Sequence, residues 1–114
     1  MHADHYEFGS ITIDGTRYEH DLVIESGSIR KRKKGPSKPL KAEYGHTPLS
    51  AREEIPLGNS RLIIGTGAYG KLPVLDEVYE AARRRGVAVE AMLTDEAAGH
   101  LDEPDTDFIL HLTC

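Results

Sequence analysis

The chain has 114 residues, with 19 acidic residues against 14 lysines and arginines and a net charge of -5 at pH 7. This length predicts one domain, residues 1–114, and excludes a two-half dinucleotide fold joined to a substrate domain. The acidic balance argues against general nucleic-acid binding. No apolar run approaches the length of a membrane span, so the simplest expectation is a cytoplasmic protein with no membrane partner.

The first quarter of the chain predicts an antiparallel meander behind a loose terminus. Residues 1–7 carry two histidines and little apolar content, so we expect neither regular structure nor a metal site there. Residues 8–13 and 18–25 read as strands joined by a turn at Asp14-Gly15, because both turn residues tolerate positive φ. Residues 28–32 extend this meander.

A basic segment, residues 30–34, follows with the sequence Arg-Lys-Arg-Lys-Lys. Five successive cations can bind a phosphate-bearing partner or act as a targeting signal. Gly35, Pro36 and Pro39 favour instead a mobile, solvated loop, because they oppose regular structure. We expect the loop and leave a function for the segment open.

Residues 61–70, Arg-Leu-Ile-Ile-Gly-Thr-Gly-Ala-Tyr-Gly, organise the rest of the chain. The apolar run predicts a strand buried on both faces, and the glycines allow a turn before a helix that starts at about Pro73. A strand over residues 87–93 then completes a βαβ unit with parallel strands. The apolar positions of the helix share one face: Leu75, Val78, Tyr79 and Ala82.

The remaining elements are short. Ser50 and Glu53 fit a capping box and predict a brief helix, and Thr94 caps another that ends near Gly99. A strand over residues 108–113 closes the chain. The pattern as a whole predicts an α/β fold of three layers, in which a mixed β-sheet combines the antiparallel N-terminal meander with the βαβ unit.

The glycine loop, residues 65–71, suggests two kinds of nucleotide site. Its three glycines match G-x-G-x-x-G, and Glu90 lies 25 residues after the first of them as a candidate ribose-binding acid. The predicted helix begins only after the third glycine, however, whereas the last glycine of a dinucleotide-binding motif normally lies within the helix. Gly65, Gly70 and Lys71 also match a P-loop, but Leu72 stands where a hydroxyl must hold Mg²⁺. We therefore predict no cofactor.

Two simpler interpretations of the glycine loop stay open. Its backbone N–H groups and Lys71 can bind a small anion, or the glycines only let the strand turn sharply beneath the helix. His46, just outside the Ser50 helix, and His111, in the last strand, are further candidates. The candidate ligand-binding residues are Gly65, Thr66, Gly67, Tyr69, Gly70, Lys71, His46 and His111.

No catalytic residue or metal ligand is predicted. Cys114 is the single cysteine, which excludes an internal disulfide and a multi-cysteine zinc site. In a regular strand Cys114 and His111 lie on opposite faces, which argues against a Cys–His nucleophile pair. We expect Cys114 to be a small apolar residue at the end of a strand.

Four segments resemble those of one family of small proteins: Phe8-Gly-Ser-Ile, Ile63-Ile-Gly-Thr-Gly, Gly86-Val-x-Val and Leu110-His-Leu-Thr-Cys114. They resemble the Mth-type domain family of archaea and bacteria, whose eukaryotic relatives include an adipogenesis-associated protein and a mitochondrial respiratory complex I assembly factor. The resemblance implies a three-layer fold with a mixed central sheet, and no established catalytic activity or cofactor.

One departure from that family concerns the last helix, which is usually longer and carries a Tyr-Asn pair. Here Ala98-Gly-His-Leu101 and a loop at Pro104 replace it. The resulting functional hypothesis is a non-enzymatic binding or assembly module with an unknown protein partner and an undetermined oligomeric state. The alternative is a protein that binds an anionic metabolite or a nucleotide with the glycine loop.

Overall fold

A computed structural model describes all 114 residues of the chain as two β-sheets and three short α-helices. The strands are β1 (Ala3–Glu7), β2 (Ser10–Ile13), β3 (Thr16–Tyr18), β4 (Leu22–Glu25), β5 (Ser28–Lys31), β6 (Arg61–Gly65), β7 (Ala88–Met92) and β8 (Thr106–Leu110). The helices are α1 (Lys41–Tyr44), α2 (Asp76–Arg84) and α3 (Thr94–Ala98), with a 3₁₀ helix over Gly35–Leu40. No helix is long and apolar enough to cross a membrane.

The two sheets differ in topology. The smaller sheet is antiparallel with strand order β1-β2-β3, and the larger one has the order β5-β4-β8-β6-β7. In the larger sheet β6 runs parallel to both β7 and β8, whereas β4 runs antiparallel to both β5 and β8. The mixed α/β fold and the parallel βαβ unit formed by β6, α2 and β7 are therefore confirmed.

The larger sheet is the middle of three layers, because side chains that alternate along its strands build a core on each face. On β6, Leu62 and Ile64 pack in one cluster with Val78 and Ala82 of α2. Ile63 lies in the opposite cluster, beneath the three-stranded sheet and α3. Tyr79 is 39% exposed, so its prediction as a member of the buried face is wrong.

The expectation of a loose N-terminus is also wrong. Residues of β1 pair with β2, and Tyr6 lies opposite Ile11 in that ladder. The Tyr6 hydroxyl donates a hydrogen bond of 2.9 Å to the carbonyl oxygen of Leu112. Ala3 and Tyr6, the two apolar positions of β1, pack against the core. They are too few to stand out as a strand pattern, and tertiary contacts determine the structure here.

The predicted meander has the correct antiparallel pairing but is not continuous. The β2–β3 hairpin turns at Asp14-Gly15, both with positive φ, as predicted. The predicted strand over residues 18–25 is instead two strands, because β3 stays in the smaller sheet and β4 enters the larger one. Asp21 lies in the short segment that connects the two sheets.

Two helix predictions need correction. No helix forms between Ser50 and Glu53, where the chain makes a turn, and the helix of this region is α1, several residues earlier. The helix expected from about Pro73 begins at Asp76. Its predicted end is correct, since Gly86 follows the last turn with a φ of 71°.

Candidate functional site

The candidate site lies at the edge of the larger sheet where two parallel strands end. Gly65 of β6 and Leu110 of β8 are partners in the register. The residues that follow each strand therefore leave the sheet side by side. In open α/β sheets, ligands bind preferentially outside the carboxyl ends of the parallel strands.

The glycine loop wraps around the backbone of the last two residues. The N–H of Ala68 donates to the Thr113 carbonyl at 2.7 Å, and the N–H groups of Tyr69 and Lys71 donate to the Cys114 oxygen at 3.1 and 3.0 Å. The N–H of Gly67 donates to the Thr94 hydroxyl at 2.8 Å. Most of the donors that the sequence assigns to an external anion are therefore already used within the chain.

The close approach of the glycine loop to residues 113–114 requires glycine at position 67. Its φ is 106°, and a Cβ atom there would lie 2.3 Å from the carbonyl carbon of Cys114 and 2.8 Å from the oxygen of Thr113. Gly65 is crowded too, because a Cβ atom would lie 2.8 Å from the Thr94 hydroxyl. These two glycines thus have a structural role, and ligand binding by the loop itself stays a prediction.

A buried ionic network lies beside the last residues and centres on Arg32. Its Nε and Nη2 atoms donate to the two carboxylate oxygens of Glu53, each at 2.8 Å, and Nη2 also donates to the Pro48 carbonyl at 3.1 Å. Nη1 donates to Asp21 Oδ2 at 3.0 Å. Burial alone would lower the pKa of Arg32, but the hydrogen bonds and charges of the two carboxylates raise it above its usual value.

Arg32 also corrects the prediction that the basic segment is a mobile loop. The first two residues of the basic segment belong to β5. The N–H of Arg32 continues that ladder by donating to the Asp21 carbonyl at 2.8 Å. Only 4% of Arg32 is exposed. Strand pairing and ion pairing therefore hold this part of the segment in place, whereas Lys33 and Lys34 remain exposed.

Two buried serines complete the network around Glu53. The Ser37 hydroxyl donates to Glu53 Oε2 at 2.5 Å and lies 2.6 Å from the Ser50 hydroxyl. The 3₁₀ helix, which Gly35 and Pro36 open, positions Ser37 for these contacts. Glu53 and Ser50 thus meet in a tertiary network, and the local capping box inferred from their spacing does not form.

Asp21 links the network to His111. Its Oδ2 atom accepts a hydrogen bond of 2.8 Å from His111 Nδ1, and its Oδ1 atom accepts the Leu112 N–H at 3.0 Å. Burial alone would raise the pKa of Asp21, but these hydrogen bonds and the charges of His111 and Arg32 lower it to about 2. Because an ionised carboxylate only accepts, Nδ1 of His111 carries a proton. The Thr113 hydroxyl lies 3.4 Å from the other ring nitrogen, Nε2.

Together these side chains border a cleft of about 220 Å³, called here the basic cleft. The residues that line it are Arg32, Lys34, Lys41, His46, Thr47, His111, Thr113 and Cys114. None of them has a carboxylate side chain. Lys34 and Lys41 are exposed and take part in no salt bridge. A neighbouring cleft of about 250 Å³ shares Arg32, Lys34 and Thr113 with it.

The structure brings only part of the predicted site together. His46 and His111 both line the basic cleft, and the glycine loop contacts the cleft through its hydrogen bonds to Cys114. Tyr69 is 68% exposed and its ring lies 6.1 Å from that of Phe8. The strand β8 ends at Leu110, so strand alternation does not separate His111 from Cys114, and both line the same cleft.

The sequence alone does not identify Asp21, Arg32 and Glu53 as partners, or Lys34 and Lys41 as cleft residues. One signal was available: the strand predicted over residues 28–32 overlaps the basic segment, so Arg32 falls within regular structure. The remaining contacts depend on segments far apart in the chain. His111 and Asp21, for example, are separated by 90 residues.

Comparisons with known proteins place the chain in a family. Residues 3–102 match the family described as a protein of unknown function (DUF498/DUF598). The crystal structure of the conserved hypothetical protein PH1505 from Pyrococcus horikoshii OT3 is similar, with 31% identity, a TM-score of 0.81 and full coverage of both chains. A structure named MT938 shares the fold at 23% identity and a TM-score of 0.70, over 99% of this chain and 98% of the other. No curated protein matches. The chain belongs to the DUF498/DUF598 family.

Proposed function

We propose that this protein binds a small anion in the basic cleft and acts as a binding module without a catalytic step. The observation that carries the proposal is the charge of the lining. Lys34 and Lys41 are unpaired, His46 and His111 lie with them, and no acidic side chain lines the same cleft. This arrangement occurs in a chain whose net charge is -5.

The pairing of Arg32 sharpens the electrostatic argument. Two carboxylates already surround its guanidinium, so it contributes little free charge to the cleft. The attraction for a ligand therefore comes from Lys34 and Lys41, whose ammonium groups give up no salt bridge when an anion arrives. Charge-assisted hydrogen bonds of this kind are among the stronger polar contacts in proteins.

The glycine loop has an indirect part in this proposal. Its N–H groups hold the backbone of Thr113 and Cys114, which form one side of the cleft. The N–H of Lys71 makes one of these contacts, and the residue is exposed. We therefore assign the anion site to the basic cleft beside Cys114, with the glycine loop as its support.

The test is calorimetric titration of inorganic phosphate into the wild-type protein and a Lys34→Ala/Lys41→Ala variant. We expect saturable binding that the double variant weakens at least about tenfold, since two charge-assisted contacts are lost. The matched control is Lys33→Ala/Lys38→Ala, which removes two exposed lysines that do not line the basic cleft. Equal weakening in both variants, or no saturable binding of any of the small anions phosphate, sulfate, lactate and propionate, would contradict the proposal.

A second candidate function is the binding of a protein partner in the cytoplasm, favoured by an exposed apolar patch. Phe8 and Tyr69 are 54% and 68% exposed and in ring contact. Leu93, 39% exposed, lies against Gly70. The resemblance to the Mth-type family, with its assembly-factor relative, supports this candidate.

Co-purification from native cells tests the second candidate. A Phe8→Ser/Tyr69→Ser variant is expected to lose a stoichiometric partner that the wild type retains. Tyr79→Ser, on the surface of α2, is the control and is expected to retain it. A partner that still co-purifies with the double variant would show that this patch is not its binding surface.

A further inference from the structure

The hydrogen bond between His111 and Asp21 determines what the ring can offer to the basic cleft. Nδ1 lies 2.8 Å from a carboxylate oxygen that accepts only, and therefore carries a proton. In the neutral ring the second nitrogen, Nε2, is then unprotonated and acts as an acceptor. Its only hydrogen-bonding partner within the chain is the Thr113 hydroxyl at 3.4 Å, which is too long for a strong bond.

The lysines of the cleft offer only donors, while the two threonine hydroxyls of the lining can donate or accept. Lys34, Lys41 and His46 line the same cleft, and Arg32 borders it with its donors directed to carboxylates and to a backbone carbonyl. Among the side-chain nitrogens of the cleft, His111 Nε2 is thus the one that a fixed hydrogen bond holds as an acceptor. A ligand that fills the cleft must present negative charge to the lysines and a donor to His111.

We infer that the basic cleft selects a small oxyanion that carries its own hydroxyl group, such as hydrogen phosphate or a 2-hydroxycarboxylate, over one that has none. The inference rests on the proposed function, since it specifies the ligand class of the same cleft. A ligand without a hydroxyl group would place an oxygen lone pair against that of Nε2. An acceptor that the bound ligand covers without giving it a donor weakens binding substantially.

Matched pairs of anions test this selection at about pH 8, above the reference pKa of a free imidazole. Hydrogen phosphate and sulfate have the same charge and tetrahedral shape, but only the phosphate carries a proton. Lactate and propionate differ by one hydroxyl group. We expect about tenfold tighter binding of hydrogen phosphate than of sulfate, or of lactate than of propionate. The pair that shows the preference identifies the kind of oxyanion.

The variant His111→Phe is expected to reduce either ratio to about one while retaining binding through the lysines. A second measurement needs no variant: the ¹⁵N chemical shifts of His111 in the free protein are expected to show a protonated Nδ1 and an unprotonated Nε2. Equal affinities for hydrogen phosphate and sulfate, and for lactate and propionate, would overturn this inference but not the proposed function. A proton on Nε2 in the free protein would do the same. Failure of all four anions to bind would overturn the proposed function as well.

Discussion

Arg32 and Glu53 form a two-point ion pair in the interior, with Nε–Oε1 and Nη2–Oε2 distances of 2.8 Å each. Their side chains are 1% and 3% exposed. The pair ties the continuation of β5 to the turn that follows α1, and thereby fixes one wall of the basic cleft. Removal of either partner leaves the other charge buried, which is far more costly than the loss of a surface pair.

Replacement of Arg32 with Met is expected to destabilise the protein by about 3–5 kcal/mol, because the carboxylate of Glu53 stays buried without its counter-charge. Urea unfolding measures the change. Lys33→Met, at the exposed neighbouring position, is the control and is expected to change stability by less than about 0.5 kcal/mol. Similar losses in the two variants would show that the ion pair is not important for the fold.

The pH dependence of stability is expected to depend on Asp21. Its pKa in the folded protein is about 2, below the ordinary value of 3.8. The ionised group therefore stabilises the fold above about pH 4, and this stabilisation, about 2 kcal/mol, is lost as the pH falls toward 2. Urea unfolding of the wild type and Asp21→Asn should give a difference that shrinks over this interval. A difference that does not change with pH would contradict the assignment.

Gly67→Ala is expected to destabilise the protein by several kcal/mol, because the new Cβ atom would overlap the backbone of Cys114 and the residue has a strained φ. The fall in Tm measures it. Gly58→Ala is the matched control, since a Cβ atom there meets nothing within 4 Å. An unchanged Tm for Gly67→Ala would mean that the glycine loop does not hold residues 113–114 closely.

Val78→Asp is expected to unfold the protein, because it places an unpaired charge in the fully buried cluster between α2 and the larger sheet. Circular dichroism and thermal unfolding measure the effect. Tyr79→Asp changes the neighbouring residue of the same helix, which is 39% exposed, and should be tolerated much better. A folded Val78→Asp protein with an unchanged Tm would contradict the assignment of this helix face to the core.

The parts of the fold that the sequence predicts correctly are those with strong local signals. β6 has a continuous apolar run, α2 has apolar residues at helical spacing, and Gly86 ends the helix. In these segments local propensity and tertiary packing agree. β1 has only two apolar positions, so its pairing with β2 could not be read from its own residues.

The candidate site was harder to predict, because its chemistry depends on long-range contacts. The sequence indicates His46 and His111 as separate candidates, but nothing local indicates that they share a cleft. The five cations of the basic segment look equivalent in the sequence, yet Arg32 alone of the five is buried. The difference between them arises from Asp21 and Glu53, and no rule of spacing connects those two acids to the segment.

The distance along the chain between Asp21 and His111 has a consequence for how the protein would respond to its ligand. The groups that build the basic cleft come from residues 21–53 and from residues 111–114, so they meet only when β4, β5 and β8 are all in place. No partly folded intermediate that lacks β8 could recognise the anion. Binding would therefore be coupled to complete folding, and rising ligand concentration would raise the unfolding temperature of the whole protein.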